Sequence, residues 1–179
     1  NPKGKGSFGT EIKYKGISLN ILFDGQFGGK GYSFTNAMLM EHGKHEKTLS
    51  GRYNGIIGDG VIENPDGTYR KNDVVAEEIW TYYTRHGGRE NLEGSMFNTD
   101  FLKLRELTLS YSFPARICKK IGMRKLSVGI YGRDLFMITN WPAFDPEFGT
   151  LNNGTIDKGF EIAQFPATRN FGVKLNIEF

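Results

Sequence analysis

The stretch of sequence that decides the fold is Phe171-Gly172-Val173-Lys174-Leu175-Asn176-Ile177-Glu178-Phe179. Apolar residues occupy every odd position of this stretch, and glycine or polar residues occupy every even position. Successive side chains of a β-strand point to opposite faces of the sheet, so the alternation predicts a strand with one apolar and one polar face. Such a strand fits the lipid-facing wall of a barrel, and it also fits a soluble β-sandwich.

The same alternation recurs elsewhere in the chain. Residues 8–14 and 17–27 alternate on either side of Lys15-Gly16, a pair that suits a two-residue hairpin turn with positive φ angles. Residues 101–113 alternate less strictly, as does a further segment that opens at Leu126. The sequence therefore predicts an all-β chain with about five long strands.

The connections between these strands are alternately short and long. Lys15-Gly16 and residues 114–124 are short, whereas residues 30–100 and 139–166 are long. Antiparallel outer-membrane barrels have this asymmetry, with short turns on one side of the membrane and long loops on the other. Within the connections, short helices are predicted at residues 36–42, 73–83 and 115–121.

Composition excludes several classes of protein. The net charge is only +3, and no run of Lys and Arg provides a nucleic-acid footprint. Cys118 is the single cysteine, so no internal disulfide can form. No apolar run approaches the roughly 18 residues of a membrane-spanning helix. Because the chain opens on Asn1-Pro2, we expect it to be a piece of a longer protein.

No catalytic, metal or cofactor site is predicted. His42 and His45 have the spacing of a metal pair, but no third ligand accompanies them. Asp145 and Glu147 resemble a glycosidase carboxylate pair, although nothing in the sequence places them on either side of a bond. With Pro146 between them, they are more typical of a structured loop.

Aromatic residues in the two long connections are the candidate binding residues. Trp80, Tyr82 and Tyr83 lie in the first connection, and Trp141 and Phe144 lie in the second. Aromatic faces stack on sugar rings and anchor protein interfaces. The alternatives are packing within the loops and, for Trp141, a place in an interfacial aromatic girdle.

Four blocks of the sequence resemble the SusC/RagA family of TonB-dependent outer-membrane receptors, in the order found at the C-terminal end of the family. They are YKGISLNILFDGQFGG (14–29), FLKLRELTLSYSFP (101–114), GRDLFMIT (132–139) with FDPE (144–147), and FPATRNF (165–171).

The resemblance implies an antiparallel transmembrane β-barrel of roughly 22 strands, of which this chain supplies about five and two long extracellular loops. The chain then divides into five segments: a barrel hairpin (1–29), a long extracellular loop (30–100), a strand pair with a short periplasmic turn (101–138), a second extracellular loop (139–166) and a closing strand (167–179).

The resemblance also implies a function and partners. Family members sit in the outer membrane of Gram-negative bacteria with the C-terminus in the periplasm, and they are transporters, not enzymes. They import oligosaccharides, sometimes peptides, with a SusD-like surface lipoprotein, and are energised by the TonB complex through an N-terminal part missing here. The apolar face of the last strand, which contacts outer-membrane lipid, resembles the family's assembly signal. That face comprises Phe171, Val173, Leu175, Ile177 and Phe179.

Two other classes of protein are also compatible with the sequence. A soluble all-β carbohydrate-binding module explains both the alternation and the aromatic loops. A fragment of a secreted glycoside hydrolase requires two carboxylates facing each other across a cleft.

Overall fold

Strands dominate the computed structural model of the chain, which describes residues 1–76, 78–152, 155–157 and 159–179. In chain order the elements are β1 (Gly4–Tyr14), β2 (Ile17–Phe27), β3 (Lys30–Ser33), α1 (Phe34–Glu41), η1 (Glu46–Leu49), β4 (Val61–Glu63), β5 (Tyr69–Lys71), α2 (Ile79–Gly87), η2 (Glu93–Ser95), β6 (Met96–Asn98), β7 (Phe101–Ser112), α3 (Ala115–Lys120), β8 (Lys125–Thr139), β9 (Thr150–Asn152), β10 (Thr155–Asp157), β11 (Phe160–Glu161) and β12 (Asn170–Glu178). None of the described helices has the length and apolar character that a membrane crossing requires.

The chain separates into two compact units. The first unit consists of residues 1–30, 98–147 and 165–179. It contains the five long strands in one sheet, in the order β1-β2-β7-β8-β12 with every neighbouring pair antiparallel. The predicted predominance of strands and the antiparallel pairing of the long strands are therefore confirmed.

The register of this sheet aligns the apolar positions of all its strands. One row runs across the five strands through Ile12, Leu19, Leu109, Ile130 and Val173, each paired with the next. Since paired residues share a face, the alternation in each strand adds up to one continuous apolar face. That face is open: Ile130 is 60% and Val173 is 72% exposed.

The hairpin between β1 and β2 has the turn that its sequence predicts. Lys15 and Gly16 both have positive φ angles, 46° and 87°, as a type I′ turn requires. Tyr14 then pairs directly with Ile17. At Gly16 a side chain is excluded for a second reason, because a Cβ atom would lie 2.7 Å from the carbonyl oxygen of Ser112.

The second unit consists of residues 31–97 and 148–164 and holds α1, α2 and three small sheets. Its described apolar core includes Tyr32, Ala37, Met40 and Tyr83. A buried carboxylate holds it together: Glu161, 1% exposed, accepts hydrogen bonds from the Ser33 and Thr35 side chains at the start of α1.

One of the three predicted helices begins in the wrong place. The periodicity predicts a helix over residues 73–83, whereas α2 begins only at Ile79. Upstream, Val75 forms an antiparallel bridge with Ile57, and the Ala76 amide donates to the Ile56 carbonyl oxygen at 2.9 Å. Pairing with a distant segment therefore overrides the local pattern, and β-branched valines favour that outcome. Glu77, which the predicted helix contains, lies outside the described residues.

The other two helices lie close to their predicted positions. Predicted at residues 36–42, α1 begins slightly earlier because the Ser33 hydroxyl accepts a hydrogen bond from the Asn36 amide at 3.1 Å and caps it. Predicted at residues 115–121, α3 ends at Lys120, and Gly122 follows with a φ angle of 73°.

Candidate functional site

A β-bulge shapes the polar face of the large sheet. The register of β7 skips Arg105 in its ladders with both neighbouring strands, and that of β8 skips Asp134 and Leu135. Asp134 has a φ angle of 51°, in the left-handed region that Asp and Asn tolerate better than most residues. Lys103 and Arg105, two positions apart in β7, lie on the same face, so that two cations of one strand lie side by side.

Lys103 is the centre of an ionic cluster on this face. Its side chain is 3% exposed, and its Nζ lies 2.6 Å and 2.7 Å from the two carboxylate oxygens of Asp145. The same Nζ lies 2.5 Å from Oε2 of Glu147 and 4.8 Å from the centre of the Phe101 ring. A buried ammonium group needs such partners, because desolvation without them is costly.

Arg105 extends the cluster along the sheet. Its Nη2 donates to Oδ2 of Asp24 at 2.8 Å, and its Nη1 donates to Oδ1 of Asp134 at 3.0 Å. It also contacts the Glu147 carboxylate. Two cations thus share four carboxylates, and the segment after β8 is fastened to β7. This use of Asp145 and Glu147 fits a structured loop, because cations occupy both carboxylates.

This cluster is not among the sites that the sequence predicts. Lys103 and Arg105 are two positions apart on a predicted strand, which was the available signal that two cations share one face. The carboxylates that meet them come from β2, from the bulge in β8 and from the following loop. Only the tertiary fold brings these segments together.

The second candidate site lies on the second unit, around α2. Trp80 is 62% exposed, and its Nε1 donates to the Glu41 carbonyl oxygen at 2.8 Å. The Tyr82 ring stacks on the His86 ring, with centroids 4.1 Å apart. The helix therefore presents an aromatic surface whose orientation is set by hydrogen bonding and ring stacking.

A groove of about 580 Å³ adjoins the Tyr82–His86 stack. Its polar lining includes Asp59, Asn72 and Arg85. Aromatic faces beside several hydrogen-bond donors and acceptors can hold a polar ligand that has a flat or ring-shaped part. The sequence indicates the aromatic residues but not the polar ones: Asp59 and Asn72 lie on separate loops, and Arg85 lies on α2 itself.

The five predicted binding residues have different environments. Tyr83 is 7% exposed, and its hydroxyl donates to the Ser50 carbonyl oxygen at 2.9 Å. Trp141 is 6% exposed. Both side chains are buried and offer almost no contact surface, which argues against the expectation for these two residues. Trp80, Tyr82 and Phe144, the last 47% exposed, remain candidates.

The last strand keeps its two faces distinct. Asn176 pairs with Ser127, and its Nδ2 donates to the serine hydroxyl at 3.2 Å on the polar face. The alternating apolar residues are all exposed on the opposite face. They are Phe171, Val173, Leu175, Ile177 and Phe179.

Metal binding has no support among the described residues, where no group of three or more His, Cys, Asp or Glu side chains has a suitable arrangement. His42 and His45 instead make local contacts. Nδ1 of His42 lies 3.0 Å from the Met38 carbonyl oxygen, and Nδ1 of His45 accepts a hydrogen bond from the Lys47 amide.

Comparison with known proteins identifies relatives along nearly the whole chain, although no family model matches it. TonB-dependent receptor P39 of Formosa agariphila is 24% identical over 176 residues, which are 97% of this chain and 16% of the relative. TonB-dependent receptor P3 of the same organism is 25% identical over 176 residues, with 96% and 16% covered. The chain therefore spans only 16% of the length of these relatives.

Solved structures share the fold. The RagAB peptide importer in its closed-closed state matches with a TM-score of 0.67 and 18% identity, over 100% of this chain and 17% of that chain. The RagAB peptide transporter matches with a TM-score of 0.63 and 19% identity, over 99% and 17%. The resemblance seen in the sequence is thus confirmed: over nearly its whole length, this chain is similar to TonB-dependent receptors.

Proposed function

We propose that the chain is a wall segment of a TonB-dependent outer-membrane transporter of the SusC/RagA family. The transporter imports large nutrients, either oligosaccharides or peptides, and makes and breaks no bonds in them. The observation that carries the proposal is the continuous, exposed apolar face of the five-stranded antiparallel sheet. Membrane barrels have such a face toward lipid and a polar face toward the lumen.

Lipid contact explains the large side chains that the sheet leaves uncovered. In water, an apolar patch that crosses five strands favours association or aggregation. In a bilayer the same face is solvated by acyl chains, and further strands pair with the free edges of β1 and β12. A soluble carbohydrate-binding module, the alternative, would pack this face against a second sheet.

The connections define the orientation that we propose. The turn at Lys15-Gly16 and residues 113–124 lie at one end of the sheet, which we assign to the periplasm. Residues 28–100 and 140–169 leave from the other end, which we assign to the cell exterior. The last strand then runs toward the periplasm, and its apolar residues 171, 173, 175, 177 and 179 serve as the assembly signal.

The proposed partners follow from this orientation. The exposed surface around α2 contacts a SusD-like surface lipoprotein or the imported ligand. The groove beside Tyr82 and His86 supports a polar ligand, because ring stacking and hydrogen bonding are available together. The TonB complex acts through a part of the receptor outside these residues.

Localisation and uptake in cells that express the full-length protein test the proposal. We expect the protein in the outer-membrane fraction, and we expect its deletion to abolish uptake of a labelled oligosaccharide or peptide pool. A protonophore should block the same uptake, because TonB-dependent import is energised. Recovery in the soluble fraction, or unchanged uptake of both pools after deletion, would contradict the proposal.

A further inference from the structure

The connection between β7 and β8 carries a local excess of positive charge that the small net charge of the chain conceals. Residues 113–125 contain no Asp or Glu. Their basic side chains are all exposed, and none forms an ion pair with another described residue. These are Arg116, Lys119, Lys120, Arg124 and Lys125.

The helix in this connection has two distinct sides. Cys118 is fully buried, and its Sγ donates to the Phe113 carbonyl oxygen at 3.7 Å. Ile117 and Ile121 lie four positions apart and are 46% and 52% exposed. Ile121 is the C-terminal cap of α3, and residues at this spacing are neighbours on one side of a helical turn, so α3 and its cap present an apolar edge among the cations.

Aromatic residues lie on the apolar face of the sheet at the end that adjoins this helix. Tyr14 and Tyr111 both pair with Ile17 across the sheet. The rings of Tyr111 and Phe113 meet edge to face, with centroids 5.0 Å apart. In membrane barrels, aromatic girdles lie at the level of the lipid headgroups. Since α3 begins two residues after Phe113, it lies in the headgroup layer of the proposed barrel.

We propose that the cationic connection binds the phosphate groups of anionic phospholipids, while Ile117 and Ile121 insert just below the headgroups. The inference rests on the proposed function, because it needs the sheet to span a bilayer. Charge complementarity identifies the occupant: clustered exposed cations beside an apolar edge suit an anionic lipid surface. Unpaired lysine and arginine side chains near such a surface each contribute to its attraction.

Hydrogen–deuterium exchange on the full-length receptor tests the inference without any substitution. The receptor is placed in nanodiscs of phosphatidylcholine alone or of phosphatidylcholine with phosphatidylglycerol. We expect the amides of residues 113–125 to exchange more slowly with phosphatidylglycerol present, and we expect high salt to reduce that difference. Equal exchange in the two bilayers, as contact with another protein segment would give, overturns the inference.

The same experiment separates this inference from the proposed function. In both bilayers, β7 and β8 should be strongly protected if they form a barrel wall. If these strands exchange freely in both bilayers, the proposed function fails and the lipid site fails with it. If they are protected while residues 113–125 do not respond to lipid charge, only the lipid site fails.

A charge-removal variant adds a second readout. The variant is R116Q/K119Q/K120Q, and the measured quantity is the amount of phosphatidylglycerol that co-purifies with the receptor. We expect this amount to fall about fivefold for each removed cation that contacts a headgroup. Retained phosphatidylcholine should not change. The matched control, K44Q/K47Q/K71Q, removes the same charge from exposed lysines of the second unit. Equal retention of phosphatidylglycerol by the two variants overturns the inference.

Discussion

At the scale of single residues, Lys103 is the clearest case of a side chain whose role depends on its partners. It is nearly fully buried near the start of β7, where an unpaired ammonium group would be strongly destabilising. Asp145 and Glu147 supply the compensating charges and are held in place in return. The pair of carboxylates therefore organises a loop, and Lys103 makes that possible.

Replacing Lys103 tests this role. In Lys103→Met the two carboxylates lose their shared cation, and breaking a buried ion pair on one side costs about 3–5 kcal/mol. We expect a lower urea midpoint for the full-length protein and faster hydrogen exchange in residues 140–147. Lys5→Met, at an exposed position of β1, is the matched control. Equal midpoints for the two variants would contradict the role assigned to Lys103.

Glu161 has the corresponding role in the second unit. Its carboxylate accepts hydrogen bonds from Ser33, Thr35 and the Gln164 amide, and no cation is involved in these bonds. In Glu161→Ala the donors at the start of α1 lose their acceptor, which costs about 1–3 kcal/mol for each buried group left unsatisfied. Proteolysis within α1 should accelerate. Glu90→Ala, at an exposed site, should leave the rate unchanged; acceleration in both variants alike would count against the capping role.

Trp80 and Tyr82 are the residues on which the proposed contact surface depends. We expect Trp80→Ala and Tyr82→Ala to weaken either lipoprotein pull-down or ligand uptake, and an anchor of this kind contributes roughly 2 kcal/mol or more. Tyr53→Ala, at a 97% exposed tyrosine outside the predicted set, is the control. Wild-type pull-down and uptake in both variants, at normal surface abundance, would show that these aromatics serve only packing.

At the scale of elements, β12 carries the sharpest test of the membrane assignment. Leu175 lies on the apolar face, paired with Val128 and 60% exposed. In the proposed barrel, Leu175→Arg places a charge in lipid and costs about 2–4 kcal/mol if the residue is near the midplane. We expect less folded receptor in the outer membrane. Asn176→Arg, on the polar face of the same strand, should be tolerated; equal loss in both variants would refute the facing of β12.

The bulge in β7 and β8 affects both the facing of the strand residues and the geometry of the ionic cluster. Regular alternation through Arg105 would have moved every following side chain of β7 to the opposite face. One extra residue in β7 keeps its apolar side chains on one face on both sides of the irregularity, and the two extra residues in β8 leave the facing of that strand unchanged. They also place Arg105 and Asp134 within hydrogen-bonding distance.

At the scale of the whole molecule, the five-stranded sheet has two free edges and an uncovered apolar face. We expect the isolated 179-residue chain to aggregate in buffer and to require detergent, because exposed edges and apolar patches promote association. Size-exclusion chromatography with light scattering, with and without detergent, provides the measurement. A monodisperse, detergent-free monomer would support the soluble-module alternative instead.

Much of the fold could be predicted from local patterns alone. A period of two in the apolar residues is a property of neighbouring positions, and it located the long strands. Lys15-Gly16 specified its own turn, since the required positive φ angles depend on only those two residues. The unequal connections and the four family-like blocks then indicated the class of protein.

The sequence by itself therefore determined the strands, the hairpin, the antiparallel sheet and the resemblance to TonB-dependent receptors. Only the tertiary structure decided which aromatic residues are exposed; Tyr83, for example, is buried and its hydroxyl bonds to Ser50, 33 residues away in sequence. It also decided that Val75 pairs with Ile57 instead of beginning a helix. The ionic cluster around Lys103 and Arg105 has the same origin: its carboxylates lie up to 81 residues away in sequence from the cation they contact, and only folding brings the opposite charges together.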